Sequence, residues 1–270
     1  MACRYGFIGG GNMAAALIRG ILGGGICLPE NILASDVSSE RLELLAAEHG
    51  ILTTRENRKV AQEAECLVLA VKPQIFPAVA QDIAGRMPAT QSVISIMAGV
   101  TCQALSSSLQ NHPGIVRTMP NLPATLGCGV SGIAETGSTS PKALQDAESL
   151  LSTVGATVRL PEDKLDAVTA LSGSGPGYLF RIAEILIQAG GVGLGLTEDQ
   201  GGGLVQHTFQ GAAGMLIASS EPAGEFVPPG LFTGRHHTGR LKAMEDNGLQ
   251  QALFEGVRAA CRRSRELSGG

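Results

Sequence analysis

Residues 6–17 read GFIGGGNMAAAL, an apolar run that leads into three consecutive glycines and then into a helix-forming stretch. The spacing Gly9, Gly11, Ala14 is G-x-G-x-x-A, the pattern of a strand joined to a helix by a tight turn. The first glycine allows the turn, the second allows close approach of a pyrophosphate, and the small Ala14 lets the helix pack on the strand. Glycines also end strands for purely structural reasons, so the surrounding sequence must show whether this turn binds a dinucleotide.

That context is a regular alternation of buried-looking strands and helical segments over the first 160 residues. After RYGFIG come the predicted strands NILASD, ECLVLAV, SVISIMAG, GIVRTMP and GATVRLP, and the segments NMAAALIRGIL and SSERLELLAAEHG read as helices. Such alternation predicts a parallel, doubly wound sheet with right-handed crossovers. We therefore predict a Rossmann-type α/β domain over residues 1–161, in which the glycine turn binds a dinucleotide at the carboxyl edge.

From Glu162 onward the pattern changes to long helices. The segments YLFRIAEILIQAG, EDQGGGLVQHTFQGAAGMLIASS and LQQALFEGVRAACRRSREL are helical, and no convincing strand follows residue 161. We predict a second, all-α domain over residues 162–270. Its helices are too apolar for a free-standing bundle, which predicts burial against another subunit.

Composition excludes several classes of function. The chain has 270 residues, 44% of them hydrophobic and 16% charged, with a net charge of −4 and no tryptophan. A basic footprint for nucleic acid is therefore absent, and no apolar run reaches the length of a membrane helix. Six cysteines without a C-x-x-C spacing favour isolated thiols, and the early glycine turn leaves no room for a signal peptide. We expect a cytoplasmic protein.

Three further segments fit the crevice at the carboxyl ends of the strands. Asp36 follows the second strand, where an acid favours NAD by binding a ribose hydroxyl, but a helix-capping role is equally open. Ser35, Ser38 and Arg41 next to it can instead accept a 2′-phosphate, and we favour NADP(H) over NAD(H). The corners AVKPQ (70–74) and MPNLP (119–123) follow later strands and face the same crevice, with Asn121 predicted to bond the nicotinamide carboxamide.

The full set of motifs resembles one enzyme family. GFIGGGNMA, AVKPQ, SIMAGV, MPNLP, ALSGSGPGYLF, TFQGAAGML and RRSREL occur in the order and at the spacing of pyrroline-5-carboxylate reductase, over nearly the whole chain. The resemblance implies reduction of the C=N bond of 1-pyrroline-5-carboxylate to L-proline by NAD(P)H, the last step of proline biosynthesis. It also implies a helical dimerisation domain, a homodimer and a ring of dimers.

The motifs and the resemblance together predict the site residues. The cofactor would contact Ile8, Gly9, Gly10, Gly11, Asn12, Met13, Ser35, Asp36, Asn57, Ala70, Val71, Lys72, Pro73, Met97, Ala98 and Asn121. The substrate would contact Glu162, Ser172, Gly173, Ser174, His236 and His237, with His237 at the position of the family's proton-donating threonine. The SGSGP loop suits this role because a helix N-terminus supplies free N–H groups to a carboxylate; its other reading is an ordinary capping turn.

One segment departs from the family. Phe232 to His237 read FTGRHH where the family has Ser-Pro-Gly-Gly-Thr-Thr, although the flanking AGMLIASS and LKAMEDNG align. A coding sequence for FTGRHH exists that, read one base later, encodes the family motif. We therefore hypothesise a frameshifted segment from about Glu225 to about Thr238, which resequencing of the source DNA tests.

Adjacent histidines also raise the question of a metal. His236 and His237 have no cysteine or acid at ligand spacing, whereas a structural zinc site needs four ligands, so we predict no metal. Two alternative functions stay open. One is a two-domain β-hydroxyacid dehydrogenase or imine reductase, and the other is a cofactor-binding, non-catalytic partner that has lost its donor loop.

Overall fold

The computed structural model describes residues 3–136, 139–226 and 237–267, without the side chains of residues 237–240. The strands are β1 Cys3–Ile8, β2 Ile32–Ser35, β3 Leu52–Thr54, β4 Ala64–Leu69, β5 Ser92–Ser95, β6 Ile115–Met119, β7 Gly129–Glu135 and β8 Gly155–Pro161. The helices are α1 Asn12–Gly23, α2 Ser39–His49, α3 Asn57–Glu63, α4 Phe76–Ile83, α5 Cys102–Ser108, α6 Pro141–Leu151, α7 Leu165–Val168, α8 Gly175–Leu194, α9 Glu198–Ala218, α10 His237–Asp246 and α11 Leu249–Leu267.

All eight strands form one sheet in the order β3-β2-β1-β4-β5-β6-β7-β8. Neighbouring pairs are parallel except β6 and β7, which are antiparallel, with Thr118 opposite Ile133. The direction of winding reverses between β1 and β4, and such a switch point opens a crevice at the carboxyl ends of the strands. The predicted α/β class is confirmed, and β3 and β7 are two strands that the sequence pattern did not indicate.

Aliphatic side chains cover both faces of the sheet. On one face α1 and α6 pack through Leu17, Ile21 and Leu150, and on the other face α4 and α5 pack through Val79, Ile83 and Leu105. These side chains are at most 4% exposed. Since aromatic residues are few, aliphatic burial on two faces is the main stabilising contribution to this domain.

The chain forms two compact units, which divide elsewhere than at the predicted boundary. Residues 1–176 and 259–270 form the first unit, and residues 177–258 form the second. Residues 162–176 belong to the first because α7 packs on β7, where Gly132 leaves room for Leu165 and Val168. The division at 161/162 thus marks the change from strands to helices and stays a prediction as a domain boundary.

The second unit consists of helices whose apolar side chains are largely exposed. Phe180, Val192, Leu194 and Ile217 are between 64% and 95% exposed. Within the unit α8 packs on α9 where Gly201 lies 3.5 Å from Ile187, measured from an added Cβ. Exposure of this extent is typical of helices that are buried by another subunit. No helix in the described ranges is long and apolar enough to cross a membrane.

Candidate active site

The glycine turn joins β1 to α1 at the centre of the sheet. Gly9 has φ +100°, and a Cβ atom there would lie 2.6 Å from the carbonyl oxygen of Ala70, so only glycine fits. Gly11 precedes α1 with no side-chain cap, and an added Cβ would meet no atom within 4 Å. The first N–H groups of α1 therefore face open space, where a pyrophosphate can accept their hydrogen bonds. Ala14 is fully buried, as the pattern predicted.

Asp36 connects the glycine turn to the turn after β2. Its Oδ2 accepts a 2.7 Å hydrogen bond from the N–H of Gly10, and its Oδ1 accepts one of 2.9 Å from the N–H of Ser38. The cap of α2 is Ser38, whose hydroxyl accepts from the N–H of Arg41. The Arg41 side chain in turn donates from Nε to the carbonyl of Gly10. Carboxylate and guanidinium thus both hold the glycine turn in place.

A cavity of about 300 Å³ opens beside this turn. It is lined by the predicted residues Ile8, Gly9, Gly11, Ser35, Asp36, Asn57, Ala70, Val71 and Lys72. Within it the Ser35 hydroxyl donates a 2.8 Å hydrogen bond to Oδ1 of Asn57, which fixes the Asn57 amide. Residues from β1, β2, β4 and α3 therefore converge at the switch point of the sheet, as expected for a dinucleotide crevice.

The lining also includes three residues that the sequence reasoning missed, namely Val37, Ile75 and Val79. Val37 is 85% exposed and Ile75 is 51% exposed. Apolar residues in turns that otherwise read as polar, DVSS and KPQI, were the available signal. The exposed apolar surfaces of Val37 and Ile75 suit the flat face of an aromatic ring.

Some predicted cofactor residues lie outside the cavity lining. Gly10 and Asn12 belong to the turn itself, and Pro73 starts the 3₁₀ turn after Lys72. Met13 packs against the hydrophobic cluster on one face of the sheet. Met97 is only 2% exposed, and its side chain belongs to the cluster on the other face. Ala98 is half-buried in the loop after β5.

The SGSGP loop lies at the carboxyl end of β6. Residues Thr169–Gly173 form one π-helical turn, a local form that is frequent at functional sites. An added Cβ on Gly173 would lie 2.9 Å from Cε of Met119, which places the loop against the end of β6. Ser172, Gly173 and Ser174 are half-buried and lead directly into α8, with Pro176 in the first turn as predicted.

Asn121 anchors that loop. Its Nδ2 donates to the Ser172 hydroxyl at 3.1 Å and to the Ser172 carbonyl at 3.4 Å, and its Oδ1 accepts from the N–H of Val130 at 2.9 Å. Both amide hydrogens therefore already have acceptors. The contact with a nicotinamide carboxamide predicted from the sequence would have to replace one of these hydrogen bonds, and it stays a prediction.

Glu162 is held by partners on α5 and β6. Its Oε1 accepts from the N–H of Cys102 at 2.7 Å and from Nη1 of Arg117 at 3.3 Å. The Arg117 side chain is 5% exposed and that of Glu162 is 24% exposed. Burial and the Glu162 charge raise the pKa of the Cys102 thiol to about 12. The structure thus assigns Glu162 a partly buried ion pair, and its predicted contact with substrate stays a prediction.

The segment that departs from the family lies almost wholly outside the described residues. Its ends are described, with a 3₁₀ turn over Ala223–Phe226 and the start of α10 at His237. The described residues do not include His236 or the side chain of His237. The frameshift hypothesis therefore stays a prediction. Among the residues that are described, no group of three or more His, Cys, Asp or Glu is arranged to hold a metal ion.

Fold and site together define an oxidoreductase that depends on a pyridine nucleotide. A family model for NADP oxidoreductase, coenzyme F420-dependent, matches residues 4–99, and a model for pyrroline-5-carboxylate reductase dimerisation matches residues 162–267. A pyrroline-5-carboxylate reductase from Methanosarcina acetivorans is 36% identical over 264 residues, 98% of this chain and 97% of the relative. One from Synechocystis is 35% identical over 267 residues, 99% of each chain.

Solved structures agree with these matches. A pyrroline-5-carboxylate reductase from Coxiella burnetii has a TM-score of 0.90 and 32% identity over 99% of each chain. The Plasmodium falciparum enzyme, solved with NADP bound, has a TM-score of 0.86 and 26% identity over 98% of each chain. The chain belongs to the pyrroline-5-carboxylate reductase family, NAD(P)H-dependent oxidoreductases, and carries the family's dimerisation domain.

Proposed function

We propose that the chain reduces 1-pyrroline-5-carboxylate to L-proline with NADPH in the crevice at the carboxyl edge of the sheet. The balanced step transfers a hydride to the imine carbon and a proton to the imine nitrogen, and the reduced nicotinamide, when bound, supplies the hydride. The observation that carries the proposal is the cradle at Gly9 and Gly11 beside the 300 Å³ cavity. Positioning of two reactants in this way provides most of the rate enhancement that a hydride transfer needs.

The cofactor would lie along the lining of that cavity. The N–H groups at the start of α1 would bind the pyrophosphate, and the fixed amide of Asn57 would bind the adenosine ribose region. Val37 and Ile75, both substantially exposed, would cover the faces of the adenine ring. Lys72 and Val71 would lie on the route toward the nicotinamide, as the corner AVKPQ predicts.

Positive charge beside the turn after β2 supports a preference for NADP(H) over NAD(H). Arg41 contacts the glycine turn, and Nη2 of Arg55 donates to the carbonyl of Val37 at 3.1 Å, so two guanidinium groups flank the turn after β2. The Asp36 oxygens already accept from two N–H groups, which offsets the repulsion that a free carboxylate would exert on a phosphate. Guanidinium groups form strong charge-assisted hydrogen bonds with phosphate.

Arg55→Ala tests this preference, with Arg58→Ala as the matched control because Arg58 pairs with Asp82 on the surface. We expect the KM for NADPH to rise about tenfold in Arg55→Ala and the KM for NADH to stay within about twofold. Equal effects on both cofactors would contradict the proposed 2′-phosphate contact.

The substrate carboxylate would bind at the SGSGP loop. The hydroxyl groups and N–H groups of Ser172–Ser174 precede α8, whose N-terminus favours an anion. The proton donor is predicted from the family motif to lie at position 237. The decisive experiment therefore compares the chain as it stands with a variant carrying Phe232→Ser, Thr233→Pro, Arg235→Gly, His236→Thr and His237→Thr.

We expect kcat/KM for pyrroline-5-carboxylate to rise at least about a hundredfold in the restored chain, because a donor and an N–H nest return together. If the restored chain has an unchanged kcat/KM, the segment at 232–237 does not supply the proton donor. Absence of turnover in both chains, with tight NADPH binding, would favour the non-catalytic partner instead.

Membership of the same family supports a proposal for the assembly and the location. The dimers would associate further into a ring. Native mass spectrometry tests this, and we expect the mass of an assembly with an even number of subunits greater than two. Free cysteines at six positions support a location in the reducing cytoplasm.

A further inference from the structure

The last turn of α11 contacts the loop that follows β5. An added Cβ on Gly99 would lie 3.1 Å from the carbonyl oxygen of Leu267 and 3.2 Å from its Cβ. Gly99 has φ +75° and is buried, so the loop passes beneath the Leu267 backbone in a conformation that other residues rarely adopt. The motif RRSREL therefore ends on the loop that contains Met97 and Ala98.

A hydrogen bond to α7 helps to hold that helical turn in place. The Ser264 hydroxyl donates to Oδ1 of Asp166 at 2.6 Å, and Ser264 is 5% exposed. Asp166 lies in α7, which is packed on β7 through the fully buried Leu165. A rigid element of the first unit thus holds the end of α11 one turn before Leu267.

The same loop is held from its other end. Glu162, one helical turn before Asp166, accepts the N–H of Cys102 at the start of α5. The loop is therefore held at Gly99 and at Cys102, and both supports are connected to the 162–166 segment. Its other anchors are the 3.3 Å hydrogen bond from the N–H of Met97 to Oγ of Ser95 and the buried Met97 side chain.

We propose that Ser264 is a positioning residue for hydride transfer. Its hydrogen bond to Asp166 places Leu267 over Gly99 and so holds the 96–100 loop, which contains the predicted cofactor contacts Met97 and Ala98. This inference rests on the proposed function and would place Ala98 beside the nicotinamide. Loss of the bond lets the loop shift, and a shift of about 1 Å at a reacting centre can lower the rate about a hundredfold.

The test uses Ser264→Ala, with Ser264→Thr as the conservative rescue and Arg263→Ala as the control on the exposed face of the same turn, where it pairs with Glu266. A second variant ends the chain at Glu266 and so removes Leu267. Three quantities are measured: kcat, the emission of bound NADPH, which reports on the nicotinamide environment, and the Kd of 2′-phospho-ADP-ribose, which lacks the nicotinamide.

We expect Ser264→Ala and the shortened chain to lower kcat about tenfold and to change the bound NADPH emission, with the Kd of the fragment within about twofold. Ser264→Thr and Arg263→Ala should resemble the unmodified chain. The proposal is overturned by unchanged emission and kcat in both variants, or by parallel loss of fragment binding, which indicates general destabilisation. If the unmodified chain fails to reduce pyrroline-5-carboxylate, the proposed function fails, and the emission measurement still decides this inference.

Discussion

Glu162→Gln separates a structural role of this residue from a contact with substrate. Glutamine keeps the shape and a carbonyl oxygen that can accept the N–H of Cys102, but removes the negative charge. Arg117, only 5% exposed, then keeps its charge without a counter-ion. Breaking a fully buried pair costs about 3–5 kcal/mol, and because Glu162 is 24% exposed we expect a smaller cost of about 2 kcal/mol.

For a domain of this size a loss of about 2 kcal/mol lowers the Tm by about 4–8 °C. The assay is thermal unfolding at one fixed protein concentration, because an oligomer's Tm depends on concentration. Asp163→Asn is the control, since Asp163 is exposed and forms an ion pair with the neighbouring Lys164, and its Tm should change by less than about 1 °C.

The double variant Arg117→Met with Glu162→Leu sharpens the measurement. Replacing both charges by apolar groups should recover part of the loss, because no unpaired charge stays buried. The reasoning is refuted if Glu162→Gln leaves the Tm unchanged and instead raises the KM for pyrroline-5-carboxylate about tenfold. That result would establish the substrate contact that the sequence predicted.

Three further predictions concern single positions. Gly9→Ala should weaken NADPH binding about tenfold or more, since the new Cβ would overlap the Ala70 carbonyl, while Gly11→Ala, which meets open space, changes the fold less; equal Tm losses in the two would contradict this. At pH 8 iodoacetamide should alkylate the exposed Cys128 and spare Cys102. The pKa of Cys102, about 12, leaves about one thiol in ten thousand as thiolate at this pH. Mass spectrometry locates the modified cysteines, and rapid alkylation of Cys102 would contradict the prediction. Gly202→Ala within α9, where an added Cβ is free, should raise stability by about 1 kcal/mol in denaturant unfolding, and a loss would show that this face is packed in the dimer.

The sequence indicated the sheet because most strands carry continuous apolar runs. β3 has three residues, and β7 reads GVSGIAE, so neither has the length or apolar content that marks a buried parallel strand. Antiparallel pairing of β6 with β7 also has no local signal, since it depends on how the chain returns after the 3₁₀ turn at Leu122–Leu126. The doubly wound class was predictable, and the reversed direction of β7 and β8 was not.

The residues of the candidate site also differ in whether the sequence could predict them. The glycine turn is a local backbone requirement, so its residues could be read from their spacing. The partners of Asn121 and Glu162 could not, because Ser172 and Cys102 lie 51 and 60 positions away along the chain. Met97 was predicted as a cofactor contact together with the family motifs; its side chain lies in the core, and a contact through its backbone stays a prediction.

The packing of Leu267 on Gly99 has a practical consequence for the choice of affinity tag. An affinity tag fused closely after Leu267 would begin near the loop after β5, against which Leu267 packs. A tag at that end would compete with the native packing of the terminal turn and could depress turnover without altering expression or yield. Fusions for immobilisation or for reporter assays are better attached ahead of Cys3, where β1 begins at the opposite, amino edge of the sheet.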